Sequence, residues 1–130
     1  MQRAYIRPET QTMAPSNTSN TYLVNVLFLI NLAFNVIANS AFKLAAASRS
    51  WRVFAAWQIV GNLAGFVTVL TLTGILHYVP LRTAFPITAG LAVIGVQVIG
   101  AKYLFGESIS SGQWLGTLLV ALGIILIGGR

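Results

Sequence analysis

The chain has 130 residues, of which 56% are hydrophobic and 8% are charged. A water-soluble domain carries about 25% charged residues, so this composition excludes an ordinary soluble protein and predicts one compact unit inside a lipid bilayer. The net charge of +6 does not indicate nucleic-acid binding, because the basic residues are scattered and lie at the edges of apolar segments.

Polar residues dominate the first 20 positions, which predict a flexible tail, and residues 21–130 then form a single membrane domain. Four apolar segments follow, at about residues 22–47, 53–78, 83–105 and 113–129, each long enough to cross about 30 Å of hydrocarbon as a helix. Short connections make successive helices antiparallel neighbours. The predicted fold class is therefore all-α, a four-helix transmembrane bundle.

Basic residues are balanced between the two sides of such a bundle. The tail, the second loop and the C-terminus carry Arg3, Arg7, Arg82 and Arg130, whereas the opposite side carries Lys43, Arg49, Arg52 and Lys102. Four against four leaves almost no positive-inside bias. Two alternatives stay open. The chain inserts in both orientations and forms an antiparallel homodimer, or it has one orientation, because the tail arginines count little or because a partner sets it.

Amide side chains recur within the spans, where each polar group needs a partner. Asn31, Asn35 and Asn39 are spaced at i, i+4 and i+8 and share one helical face. They either line a substrate cavity or bond to another helix, at about 0.6 to 2 kcal/mol per contact. The predicted substrate-lining set is Asn31, Asn35, Asn39, Gln58, Asn62 and Gln97.

Glycines mark the expected helix contacts. Gly61 and Gly65 form a small-xxx-small pair, and Gly90 is the third predicted packing glycine. Gly90, Gly95 and Gly100 recur every five residues, so we expect them to be spread around a slim, easily bent third helix, as in transporters that rock between states.

Few residues could carry charge or catalysis. Lys43 near the end of the first helix either extends to the interface or binds an anion such as a lipid headgroup or phosphate. Glu107 is expected to be a solvated loop carboxylate. One histidine (His77), two distant glutamates and no cysteine cannot form a metal centre or a catalytic site, so we expect no metal, no cofactor and no enzyme activity.

Three stretches resemble the drug/metabolite transporter superfamily, especially its four-helix small multidrug resistance-like and EamA-like members. They are residues 35–43 (NVIANSAFK), residues 84–90 (AFPITAG) leading to 104–110 (LFGESIS), and residues 113–126, with Gly116 and Gly123 seven apart. The last stretch is similar to the dimerising fourth helix of the small multidrug resistance proteins. This resemblance implies dimer packing through Gly116 and Gly123.

Two positions depart from the drug-exporter pattern. Asn35 stands where those exporters have a membrane glutamate, and Ala89 stands where they have an aromatic residue. Both departures argue against proton-coupled export of cationic drugs. The similarity is closer to the flippase subunits for aminoarabinose-phosphoundecaprenol.

The resemblance implies a small transporter or lipid-linked-sugar flippase subunit in the bacterial inner membrane. Its expected partners are membrane lipids, a second four-helix subunit in a homodimer or heterodimer, and a polyprenyl-phosphate-linked substrate, with no nucleic acid. Fold alone does not decide function. A non-transporting accessory subunit of a larger complex and a proton-coupled exporter remain the alternatives.

Overall fold

The computed structural model describes residues 18–129, which form four membrane-length helices joined by short loops. The helices are α1 (Thr18–Ala46), α2 (Trp51–Leu76), α3 (Leu81–Gly95), which continues as a π-helical segment (Val96–Leu104), and α4 (Ser111–Gly128). All four spans are long and apolar enough to cross a membrane, and these residues contain no strand. The prediction of an all-α four-helix transmembrane bundle is confirmed. The predicted flexible tail lies outside the described residues except for 18–20, which belong to α1.

Local sequence signals end one helix and begin the next. The backbone N–H of Ser110 donates to Gln113 Oε1 at 2.8 Å, and the Ser110 hydroxyl accepts from the Gln113 N–H at 3.3 Å. This reciprocal capping box starts α4. The preceding loop turns at Gly106, whose φ of +65° lies in the left-handed region that glycine adopts without steric cost.

Small residues form the core, which lies mainly among α1, α2 and α3. α1 packs along α2 and also contacts the third span, whereas α4 lies beside the third span alone. The buried core contains alanines from all three helices: Ala38, Ala41, Ala45, Ala64 and Ala84. Lipid tails are as apolar as leucine, so close backbone approach through small residues holds membrane helices together better than large apolar side chains do.

The third-span glycines face two different helices: Gly90 lies against α4, whereas Gly95 and Gly100, at the π-helical segment, share the side that faces α1. Both Gly95 and Gly100 are buried against α1: a Cβ added to Gly95 would collide with Leu32, and one added to Gly100 would lie 3.7 Å from Ser40 Oγ. Hydrogen bonds from i to i+5 widen the turn, so residues five apart come onto nearly the same face. The glycine spacing therefore matches the π period of Val96–Leu104.

The other glycines differ in their surroundings. A Cβ added to Gly90 would lie 2.8 Å from Ile124 Cδ1, so Gly90 lets α3 and α4 approach closely. A Cβ on Gly61 would collide with the Phe42 ring of α1. No atom lies within 4 Å of a Cβ added to Gly65. Within this small-xxx-small pair, only Gly61 lies at a helix contact in the described chain.

This difference predicts opposite effects of the same substitution. Gly61→Ala forces the Phe42 ring to move, at a typical overpacking cost of about 1–3 kcal/mol, which outweighs the gain of about 1 kcal/mol in helix propensity. Gly65→Ala keeps that gain without a collision and serves as the matched control. We expect thermal unfolding in detergent to show a lower midpoint for Gly61→Ala and an unchanged or higher one for Gly65→Ala. Equal shifts would contradict the assigned contact.

Candidate functional site

A cavity of about 160 Å³ lies between α1, α2 and α3 and is open on one side. Asn31 lies near the middle of the 29-residue α1, about 20 Å from either helix end at 1.5 Å per residue. The cavity is therefore near mid-membrane depth. Its polar lining is Asn31, Asn35, Thr68 and Thr88. Its apolar lining is Val69, Leu72, Phe85, Ala89 and Ala92.

Asn31 connects α1 to α2 at this depth. Its side chain is 3% exposed, and its Nδ2 donates to the Thr68 carbonyl at 2.8 Å and to Thr71 Oγ1 at 2.9 Å. Both amide hydrogens are thus used across the helix interface. Lining a cavity and bonding another helix were alternatives for the asparagine face, and Asn31 does both.

Asn35 lies one turn further along and is half-buried. Its Nδ2 donates to the Asn31 backbone carbonyl at 3.0 Å and to Asn31 Oδ1 at 3.1 Å. No donor from residues 18–129 reaches Asn35 Oδ1, so this oxygen keeps its capacity to accept a hydrogen bond. The position that carries a glutamate in the resembling exporters therefore lines the cavity here with a neutral acceptor.

The remaining predicted amides do not line this cavity. Asn39 is exposed and donates to the Asn35 carbonyl at 2.9 Å. Asn62 is also exposed and donates to the Gln58 carbonyl at 2.7 Å. Each bond satisfies the amide within its own helix, as residues in membrane spans require. A substrate contact for Asn39, Gln58 and Asn62 stays a prediction.

Gln97 lies at a different interface. Its Nε2 donates to the Gln113 carbonyl at 3.3 Å, which joins the π-helical segment to the start of α4. Thr117 Oγ1 donates to the same carbonyl at 2.9 Å. Gln97 therefore connects two helices outside the cavity, and its substrate role also stays a prediction.

Two cavity residues, Thr68 and Thr88, were missed from the sequence. A threonine in a helix usually donates to a carbonyl three or four residues earlier, and both do so here. Because this bond within the helix satisfies the hydroxyl, the sequence alone gives no sign that the threonine also lines a cavity. Thr68 and Thr71 are three residues apart and therefore share a helical face, and this spacing is the sequence signal that could have suggested Thr68.

At the membrane edge, Lys43 forms an ion pair with Glu107. The Lys43 ammonium also lies 4.3 Å from the centroid of the Phe105 ring. Glu107 is an exposed loop residue, as the sequence predicts, and its carboxylate also pairs with the last turn of α1. Both side chains remain over 40% exposed, so this is an interfacial pair worth about 0–1 kcal/mol. Anion binding by Lys43 stays a prediction, and Glu107 would compete with the anion.

The predicted dimer glycines lie on the most exposed helix. Thr117 is the only buried residue of α4, and no atom of the described chain lies within 4 Å of a Cβ added to Gly116 or Gly123. Gly116 is exposed and Gly123 half-buried, and no side chain or other helix of the described chain packs on either position. Their role in dimer packing stays a prediction.

Comparison with known proteins identifies a relative. No protein-family model matches the chain, and no solved structure matches it. The chain is 31% identical over 78 residues to the probable 4-amino-4-deoxy-L-arabinose-phosphoundecaprenol flippase subunit ArnE of Aeromonas salmonicida (strain A449). The match covers 60% of this chain and 67% of the relative. With this relationship and its four membrane-crossing helices, the chain belongs to the family of small four-helix drug/metabolite transporters and is an integral multi-pass protein of the inner membrane.

Proposed function

We propose that the chain is one subunit of a dimeric carrier that moves a lipid-linked sugar across the membrane, with the polar group of the substrate in the cavity beside Asn31 and Asn35. The observation that carries this proposal is a mid-membrane cavity lined by amides and hydroxyls. Such groups are costly in hydrocarbon and usually mark a substrate path. The similarity to a probable 4-amino-4-deoxy-L-arabinose-phosphoundecaprenol flippase subunit supports the same class.

The absence of carboxylates from the spans argues for a mechanism without proton exchange. None of the helices α1 to α4 contains an aspartate or glutamate, and Asn35 cannot titrate. A carrier that exchanges substrate for protons needs an ionisable group at the site where the two compete. In this chain the cavity holds its cargo through neutral dipoles.

We propose a second subunit because one chain does not enclose the cavity completely. The cavity is open on one side, and within the described residues α4 packs on the third span alone, that is on α3 and its π-helical continuation. Gly116 and Gly123 are the proposed contact between the α4 helices of two subunits, where small residues allow close approach. The partner is a second copy or a similar four-helix chain.

Native mass spectrometry from a gentle detergent tests the assembly. We expect a two-subunit complex that retains polyprenyl phosphate or its glycosylated form. Gly116→Leu combined with Gly123→Leu should shift the complex toward single subunits, because the new side chains separate the proposed helix contact. Gly65→Leu, at another open glycine, is the matched control. A stable assembly with unrelated proteins and no retained lipid would instead favour the accessory-subunit alternative.

Transport itself is tested in proteoliposomes that contain the purified chain, alone and with its co-purified partner. We expect a fluorescent polyprenyl-phosphate sugar to cross the bilayer, and Asn35→Leu to slow crossing about tenfold, as the loss of about 1.4 kcal/mol of binding to the crossing state implies. Thr73→Val, an exposed change on α2, is the control. Stoichiometric proton release during crossing would replace this proposal with a proton-coupled exporter, and no crossing under either condition would leave the accessory role.

The Lys43–Glu107 pair yields a separate test of the anion role proposed for Lys43. Glu107→Gln removes the competing carboxylate, so we expect more anionic lipid to be retained by the purified protein, whereas Lys43→Gln should reduce retention. Because exposed charges are screened, both effects should shrink as salt is raised from low to physiological ionic strength. Mass spectrometry of co-purified lipids measures the amounts. Unchanged retention in both variants would remove Lys43 from the substrate site.

A further inference from the structure

The hydrogen-bonding side chains that line the cavity are unequally used: their N–H and O–H donors are all occupied, whereas three of their acceptor oxygens receive no hydrogen bond within the described chain. We infer that the cavity recognises a substrate group that presents N–H or O–H donors, either sugar hydroxyls or an ammonium, and that it excludes phosphates and carboxylates. The inference rests on the proposed function in taking this cavity as the substrate site. It adds which end of an amphiphilic substrate enters the cavity.

The two asparagines have no hydrogen left to donate. A side-chain amide carries two N–H hydrogens. Those of Asn31 go to the Thr68 carbonyl and Thr71 Oγ1, and those of Asn35 go to the Asn31 carbonyl and Asn31 Oδ1. Both N–H donors of each asparagine are therefore hydrogen-bonded within the protein.

The orientation of both amides is settled by their neighbours. Asn31 Nδ2 lies 2.8 Å from the Thr68 carbonyl, and Asn35 Nδ2 lies 3.0 Å from the Asn31 carbonyl. A backbone carbonyl can only accept. Rotating either amide by 180° would therefore place two acceptor oxygens in contact, which is unfavourable. Asn35 Oδ1 must be the atom that remains available.

The two cavity hydroxyls are used in the same way. Thr68 Oγ1 donates to the Gly65 carbonyl at 2.7 Å, and Thr88 Oγ1 donates to the Ala84 carbonyl at 3.0 Å. A hydroxyl has one hydrogen and two lone pairs, so each threonine oxygen can still accept. Backbone N–H groups in these helices are occupied by helical bonds.

Three oxygens of cavity-lining residues therefore keep unused lone pairs at mid-membrane depth: Asn35 Oδ1, Thr68 Oγ1 and Thr88 Oγ1. In a low-dielectric region, a phosphate or carboxylate would lose its hydration and meet only lone pairs. A hydroxyl or ammonium group would exchange bonds to water for bonds to these oxygens. No basic side chain is among the residues that line the cavity. The basic residues of the described chain lie in or near the end turns of the helices, at Lys43, Arg49, Arg52, Arg82 and Lys102.

Matched probes test the inference on the full chain in lipid nanodiscs, with ¹³C-labelled threonine methyl groups observed by NMR. The donor-bearing probes are octyl β-glucoside and octylammonium. Their donor-free counterparts are the per-O-methylated glucoside and octyltrimethylammonium, and octyl methyl phosphate, a phosphodiester without an O–H group, is the anionic probe. We expect saturable shifts of the Thr68 and Thr88 methyl signals with donor-bearing probes only, and at least tenfold weaker binding of the others. The exposed Thr73 methyl reports general partition into the bilayer.

Comparison of octyl β-glucoside with octylammonium shows whether the cavity binds sugar hydroxyls or an ammonium group. Thr88→Val keeps the side-chain shape and removes one acceptor, so we expect the affinity for the donor-bearing probes to fall about tenfold. Thr73→Val should leave that affinity unchanged. Thr68→Val provides a second variant if Thr88→Val folds poorly. Equal binding of the donor-free probes, saturable cavity binding of octyl methyl phosphate, or no saturable binding at all would each overturn the inference.

Failure of the two proposals can be told apart. Sugar-lipid crossing in proteoliposomes without any donor preference in the cavity would overturn the inference and leave the proposed function. Donor preference in the cavity without crossing, alone or with the partner subunit, would overturn the proposed function and leave the inference.

Discussion

The fold and the cavity both depend on the hydrogen bonds of Asn31. A buried amide in hydrocarbon cannot find water, so its partners must come from the protein. Asn31 finds them on α2, at the Thr68 carbonyl and the Thr71 hydroxyl. These two bonds hold α1 and α2 in one register at mid-depth. The same register brings Thr68 opposite Asn35, where α3 closes the third wall of the cavity.

The chemistry of the cavity follows from the same constraint. Asn31 orients Asn35 by accepting both of its amide hydrogens, and the Asn35 oxygen is left free. Polar groups stay in this membrane interior because helical carbonyls and neighbouring amides satisfy their donors. Each donor satisfied internally is one that a substrate cannot use. The cavity is neutral, and this unequal use of donors and acceptors is the basis of the proposed preference for ligands that donate hydrogen bonds.

Charge is kept at the membrane edges in the described part of the chain. Lys43 pairs with Glu107 beside the Phe105 ring, and Lys102 lies 4.8 Å from the Trp114 ring centroid. Both ammonium groups thus lie near aromatic rings, where cations are favoured. A neutral cavity and a charged edge suit the two ends of an amphiphilic substrate: a hydroxyl- or amine-bearing head and an anionic phosphate linkage. α4 remains the exposed helix on which a second subunit would pack.

Apolar segment length and short polar loops determined the number of spans, their antiparallel order and the transmembrane class, because a bilayer requires about 20 apolar residues per crossing. The sequence also indicated that Asn31 and Asn35 share a helical face, since i, i+4 spacing is a local property. Only the tertiary structure decided which amides meet the cavity, because that depends on the register between α1 and α2. It likewise decided the contribution of Thr68 and Thr88, the pairing of Lys43 with Glu107, and the π-helical turn that places Gly95 and Gly100 against α1. Contacts between residues far apart in the chain cannot be predicted from the hydrophobic periodicity of either helix.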